Sequence, residues 1–142
     1  MSKEQNFVAQ KRFTEAAGGD YKAFQEVVAP DAVDHDPAPG QGRGPAGFEH
    51  FFKELHTAFP DLHITGDQVV ADEDSIALAY TMTGTQKGDF LGFPPTGKSV
   101  KVRGVQISKF ANGKLVERWG SSDQLGMLQQ LGLAPTPTQG AR

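Results

Sequence analysis

The chain has 142 residues, a formal net charge of -3 and no cysteine. That length suits one domain, and the lack of cysteine excludes disulfides, thiolate metal sites and a cysteine nucleophile. There is no basic stripe for nucleic acid, no apolar run long enough to cross a bilayer and no signal-peptide stretch in residues 1–6, so a cytoplasmic protein with neither a nucleic-acid nor a membrane partner is expected.

In chain order, residues 3–17 read as a helix with Phe7, Val8, Lys11 and Phe13 at near-helical spacing, ended by Gly18-Gly19. Asp20 is expected to cap a short second helix with Phe24, Val27 and Val28 on one face and Pro30 after it. Asp31-Ala32-Val33-Asp34-His35-Asp36 follows, then a Pro/Gly-rich loop to Gly44. Pro45 suits the first turn of a third helix, whose stripe of Phe48, Phe51, Phe52, Leu55 and Phe59 has the clearest helical period in the chain.

Beyond Pro60 the period becomes two. Strands are predicted over 62–71, 75–86, 99–110 and 115–123, with Asp72-Glu73-Asp74 as one turn and Ala111-Asn112-Gly113-Lys114 as a hairpin. Ile76, Leu78, Tyr80 and Met82 share one face of the second of these strands. Residues 88–97 form a loop with the apolar tip Phe90, Leu91, Phe93, Pro94 and Pro95. Leu125, Leu128 and Leu131 predict a closing helix before Gly132. One domain over residues 1–133 and a flexible tail over 134–142 are expected. Helices followed by a meander of about four antiparallel strands give an α+β domain, with helices packed on a curved sheet around a pocket.

Several stretches resemble the SnoaL-like polyketide cyclases (ester cyclases) of the nuclear-transport-factor-2-like superfamily. They are Pro30-Asp31-Ala32-Val33-Asp34-His35, Gly47-Phe48 with Phe52, Ala58-Phe59-Pro60-Asp61-Leu62, Gly92-Phe93-Pro94-Pro95-Thr96-Gly97-Lys98, Asn112-Gly113-Lys114-Leu115-Val116-Glu117, and Asp123 through Leu125-Gly126 to Gln130-Leu131-Gly132. The resemblance implies a cone-shaped α+β barrel, mainly antiparallel, and a homo-oligomer, dimer or tetramer, formed through the outer sheet face. It also implies aldol ring closure on a polyketide-like or aromatic small molecule, with no cofactor and no metal. The family's general acid/base pair falls on Gln106, where a histidine is expected, and on Gly120, where an aspartate is expected.

Strand alternation puts Val102, Gly104, Gln106 and Ser108 on one face, and Val116, Arg118, Gly120 and Ser122 on one face of the next strand. In the family register both sets face the pocket. Arg118 then polarises a ligand carbonyl or stabilises an enolate, or else snorkels to the sheet edge or pairs with a structural acid. His35, between two aspartates, reads as a general base or as part of a polar turn. Asp123 reads as a replacement carboxylate or as a helix N-cap. The candidate catalytic set is therefore His35, Gln106, Arg118 and Asp123, and the candidate substrate contacts are Phe52, His56, Tyr80, Phe93 and Gly120. His56 also reads as an ordinary helix-surface residue, as do His50 and His63 in their elements. Three functions compete: a cofactor-free cyclase or isomerase, a small-molecule binder that lost its acid/base pair, and an epoxide-hydrolase-like enzyme, for which no second inward acid is apparent.

Overall fold

A computed structural model describes residues 2–137 of the chain. Helix α1 (Lys3–Ala17) starts in a capping box: the Ser2 hydroxyl accepts from the Gln5 amide while Gln5 Oε1 accepts from the Ser2 amide. Its buried side is Asn6, Ala9, Gln10, Phe13, Ala16 and Ala17. Phe7 and Val8 are exposed, so the helix is rotated from the predicted face. The left-handed residue after it is Gly19 and not Gly18. Helix α2 (Ala23–Val27) is preceded by Lys22, not Asp20, at the N-cap, and the Asp20 carboxylate accepts from Arg12 at 2.8 Å instead. Helix α3 (Gly44–Ala58) carries Pro45 in its first turn and buries Phe48, Leu55 and Ala58.

The largest correction lies between α2 and α3. Residues 28–34 form a strand, β1 (Val28–Asp34), which includes Val28 and Pro30. Strands β2 (His63–Ala71), β3 (Ser75–Thr85), β4 (Ser99–Ala111) and β5 (Lys114–Ser122) complete a five-stranded sheet of order β1-β5-β4-β3-β2. β1 runs parallel to β5, and the other pairs are antiparallel. Pro30 has no amide hydrogen to give to a ladder, which an edge strand tolerates. The two edge strands do not pair with each other, so the cone-like sheet is not closed into a barrel. Helix α4 (Gln124–Gln130) buries Met127 and leaves Leu125 exposed. Residues 138–142, most of the expected tail, lie outside the described residues.

Two apolar clusters flank the space between helices and sheet. One centres on Phe13, Phe24 and Phe48, with ring centroids 5.4 Å apart for Phe13–Phe24 and for Phe13–Phe48. The other joins Leu55 and Phe59 of the α3 end to Met82, Val102, Met127 and Leu131. β4 alternates between buried and exposed along its whole length, which fixes Val102, Gly104, Gln106 and Ser108 as inward and Lys101 and Arg103 as outward. The β4–β5 hairpin turns through Asn112 and Gly113, both at positive φ, as its sequence predicts.

A polar wall in an apolar cavity

Between the two clusters lies a cavity of about 720 Å³. Its apolar lining includes Phe13, Phe48, Phe52, Leu55, Met82 and Met127, and its polar wall comes from β1, β3, β4 and β5. Arg118 on β5 reaches along that wall. Its Nη1 donates to Asp34 Oδ1 and Oδ2 at 3.1 and 3.3 Å, and its Nε donates to Gln106 Oε1 at 3.2 Å. The Asp34 and Arg118 side chains keep only 8% and 17% of their exposure, so this ion pair is largely desolvated and fixed in geometry. Asp34 also accepts from the Asp36 amide at 3.0 Å and from Gln41 Nε2 at 3.1 Å. Among the described residues nothing accepts from Arg118 Nη2.

Two glycines make this wall possible. The Tyr80 ring lies where a Cβ on Gly104 would stand, with its hydroxyl 2.4 Å from that point. The Arg118 guanidinium lies over Gly120 in the same way, with Nη2 2.5 Å from an added Cβ. Burial pushes the Tyr80 phenol above its ordinary range, and the positive charge of Arg118 opposes this only in part. The phenol therefore stays protonated as a donor, and no described residue bonds it.

His35 does not reach the cavity. Its amide continues the β1–β5 ladder by donating to the Arg118 carbonyl at 2.8 Å, and side chains alternate along an extended chain. Asp34 and Asp36 consequently line the cavity while His35 points to the outer face. There its ring stacks on Trp119 at 4.6 Å and its Nε2 lies 2.9 Å from Glu117 Oε2. Asp123 is also outside the lining: its carboxylate accepts from the Gly126 amide at 2.8 Å and caps α4. His56 Nδ1 lies 2.8 Å from the Tyr21 hydroxyl and 2.9 Å from the Phe52 carbonyl, away from the cavity. Phe93 pairs through its backbone with Phe90, and it is Phe90 and Leu91 that line the space. Gln106, Arg118, Phe52, Tyr80 and Gly120 all line it.

Sequence reasoning missed Asp34 and Asp36 as cavity groups, although their i, i+2 spacing around His35 already implies opposite faces. It also missed Gln86, which is fully buried. The Gln86 amide holds the 88–97 loop: Oε1 accepts from the Thr96 amide and hydroxyl at 3.1 and 2.9 Å, and Nε2 donates to the Gly88 carbonyl at 3.1 Å. Among the described residues, no group of three or more His, Asp or Glu side chains is placed to hold a metal ion.

A family model described as SnoaL-like polyketide cyclase matches residues 7–131. No curated protein sequence matches the chain. Among solved structures, TsrD from Streptomyces laurentii is 25% identical, with 94% of this chain and 99% of that one covered and a TM-score of 0.85. AclR from Streptomyces galilaeus is 26% identical over 99% and 93% of the two chains, with a TM-score of 0.81. IdmH from Streptomyces antibioticus is 31% identical over 87% and 98%, with a TM-score of 0.74.

Proposed function

The chain belongs to the SnoaL-like polyketide cyclase family, and from that premise we propose that it is a cofactor-free acid/base enzyme acting on a polyketide-like or aromatic carbonyl compound, by aldol cyclisation or isomerisation. The observation that carries this reading is the Asp34–Arg118–Gln106 chain standing on the polar wall of a largely apolar cavity. Aromatic and aliphatic walls suit a flat apolar body, and the polar wall suits its oxygen. Asp34 fixes the guanidinium, and Arg118 Nη2 is left to receive a carbonyl oxygen. A carboxylate removes a proton from the carbon beside that carbonyl, and the electron pair moves onto the oxygen as an enolate that the arginine stabilises. The enolate carbon then attacks a second carbonyl, whose oxygen takes up the proton; in an isomerisation it is reprotonated at another carbon. A donor already aimed at the developing charge needs no reorganisation in the reaction, which is why a fixed arginine serves better than a solvated one.

The test uses two probes, a naphthyl β-keto ester and the analogue with methylenes in place of its carbonyls. The keto ester should raise the melting temperature more than the analogue, and Arg118→Lys should weaken its binding about 10-fold or more, the loss of roughly one hydrogen bond to a charged group. Equal shifts for both probes would contradict the reading. The binder alternative has its own support, since Gln106 and Gly120 cannot carry protons; it predicts binding with no turnover. The epoxide-hydrolase alternative gains a second inward acid, but Asp34 is saturated by its four hydrogen-bond contacts and cannot share in activating water.

We also propose that the chain forms a homodimer through its outer sheet face. Val105, Ile107 and Trp119 are 51%, 43% and 39% exposed there, and Ile107 pairs with Trp119 across β4 and β5. A contiguous apolar patch of this kind favours burial against another surface. Ile107→Lys should convert a dimer to a monomer in light scattering; a wild-type monomer would dismiss the proposal.

A further inference from the structure

We propose that Asp36 is the catalytic base of this cavity and that Gly120 sets it against Arg118, its amide holding the carboxylate and its bare Cα leaving room for the guanidinium, an inference that rests on the acid/base reading above. The groups lining the cavity that ionise are Lys11, Asp34, Asp36, Tyr80 and Arg118. Three of them cannot accept a proton from a substrate near neutral pH. Lys11 and Arg118 are cations, and the Tyr80 phenol is held protonated by burial. Asp34 has its oxygens engaged by Arg118 Nη1, Gln41 Nε2 and the Asp36 amide, so its lone pairs are committed to the ion pair.

Asp36 is different. Its Oδ2 accepts one hydrogen bond, from the Gly120 amide at 2.8 Å, and among the described residues nothing bonds Oδ1. That single bond ties the residue just past β1 to the far end of β5 and leaves the other oxygen unbonded at the exposed side of the cavity lining. It comes from the residue over which the Arg118 guanidinium lies. The base and the enolate-stabilising cation are therefore set against the same backbone unit. A side chain at position 120 would displace the guanidinium, because its Cβ would stand 2.5 Å from Nη2 and 2.8 Å from Cζ. Glycine there leaves space for the guanidinium in this position and is not called for by backbone conformation. In the step assigned to Asp36, a substrate C–H proton passes to Oδ1, the C–H electron pair becomes the enolate facing Arg118, and the same carboxyl returns the proton to the product oxygen or carbon.

Deuterium exchange at the acidic carbon of the naphthyl β-keto ester, followed by NMR in heavy water with the full chain, reads this step directly. Wild type should accelerate exchange, with a rate that falls on acidification. Asp36→Asn should lose about 100-fold or more of that acceleration and its acid limb, while the thermal shift from the probe persists. Asp36→Glu should restore part of the rate. Gly120→Ala should lower the rate by displacing Arg118, with the acid limb kept. If Asp36→Asn exchanges as fast as wild type, Asp36 is not the base. If Asp36→Asn loses both exchange and thermal shift, the Glu variant decides: recovery upholds the assignment and no recovery overturns it. A wild-type chain that binds the probe without exchanging its proton overturns the inference and leaves the binding cavity standing. A wild-type chain that does not bind the probe at all removes the cavity reading and the inference together.

Discussion

At the scale of single residues, the site is decided by parity. In an extended chain His35 and its neighbouring aspartates cannot face the same way, and the ladder bond from His35 to Arg118 sends the histidine outward. The sequence made His35 the obvious base because histidine is the residue type best suited to proton transfer near neutral pH, yet the same six residues also implied that both flanking acids share a face. What was not legible was which face, because that depends on pairing with β5 more than 80 positions away. Gln106 and Arg118 were readable because strand alternation and the family resemblance put both toward the pocket, and they stay there despite a register shift between Lys109 and Phe110. Tyr80 gives a prediction at this scale. Burial raises both Tyr21 and Tyr80 above the ordinary value of 10. Folded pKa values above the unfolded ones mean that this contribution to stability is complete below pH 10 and is lost as pH rises through the folded values. Phenolate absorbance should therefore show neither tyrosine ionising below its ordinary range in the native protein, and Tyr80→Phe should flatten the alkaline loss of stability. A tyrosine that ionises early would contradict the placement of its ring.

At the scale of elements, legibility followed the strength of the period. α3 shows a helical stripe of phenylalanines, and β4 alternates without a break, so both were found close to their true bounds. β1 was lost because it is short, contains Pro30, has a register irregularity between Val28 and Val33, and pairs only with a distant strand. The rotation of α1 was missed because its buried side includes the polar Asn6 and Gln10; Asn6 Nδ2 donates to the Asp72 and Glu73 carbonyls and so ties the helix to the β2–β3 turn. Gln86 shows how an element can depend on one buried amide. It gathers the 88–97 loop, which presents Phe90 and Leu91 to the cavity and holds Leu91 at a φ of 50°. Gln86→Ala leaves partly buried carbonyl and amide groups of that loop without these partners, at a cost of about 1–3 kcal/mol. Denaturation should report that loss, limited proteolysis should cut first within 88–97, and binding of the keto ester should weaken. A variant as stable and as protease-resistant as wild type would show that the loop is held by other means.

For the whole molecule, the order of helices before strands correctly indicated an α+β domain on a curved sheet, because each amphipathic helix must cover an apolar sheet face. The open sheet and its parallel edge were beyond that argument, since both depend on how far the strands coil before the chain runs out. Two aromatic and aliphatic clusters brace the ends of the cavity, and the sheet between them supplies the polar wall. In the proposed reading this wall receives a ligand oxygen. A crystal structure with the naphthyl β-keto ester bound should show the aromatic body among Phe52, Leu55 and Met82, with a carbonyl oxygen within about 3 Å of Arg118 Nη2. A probe seated on the outer sheet face, or one lying in the cavity with its carbonyls turned away from Arg118, would contradict it.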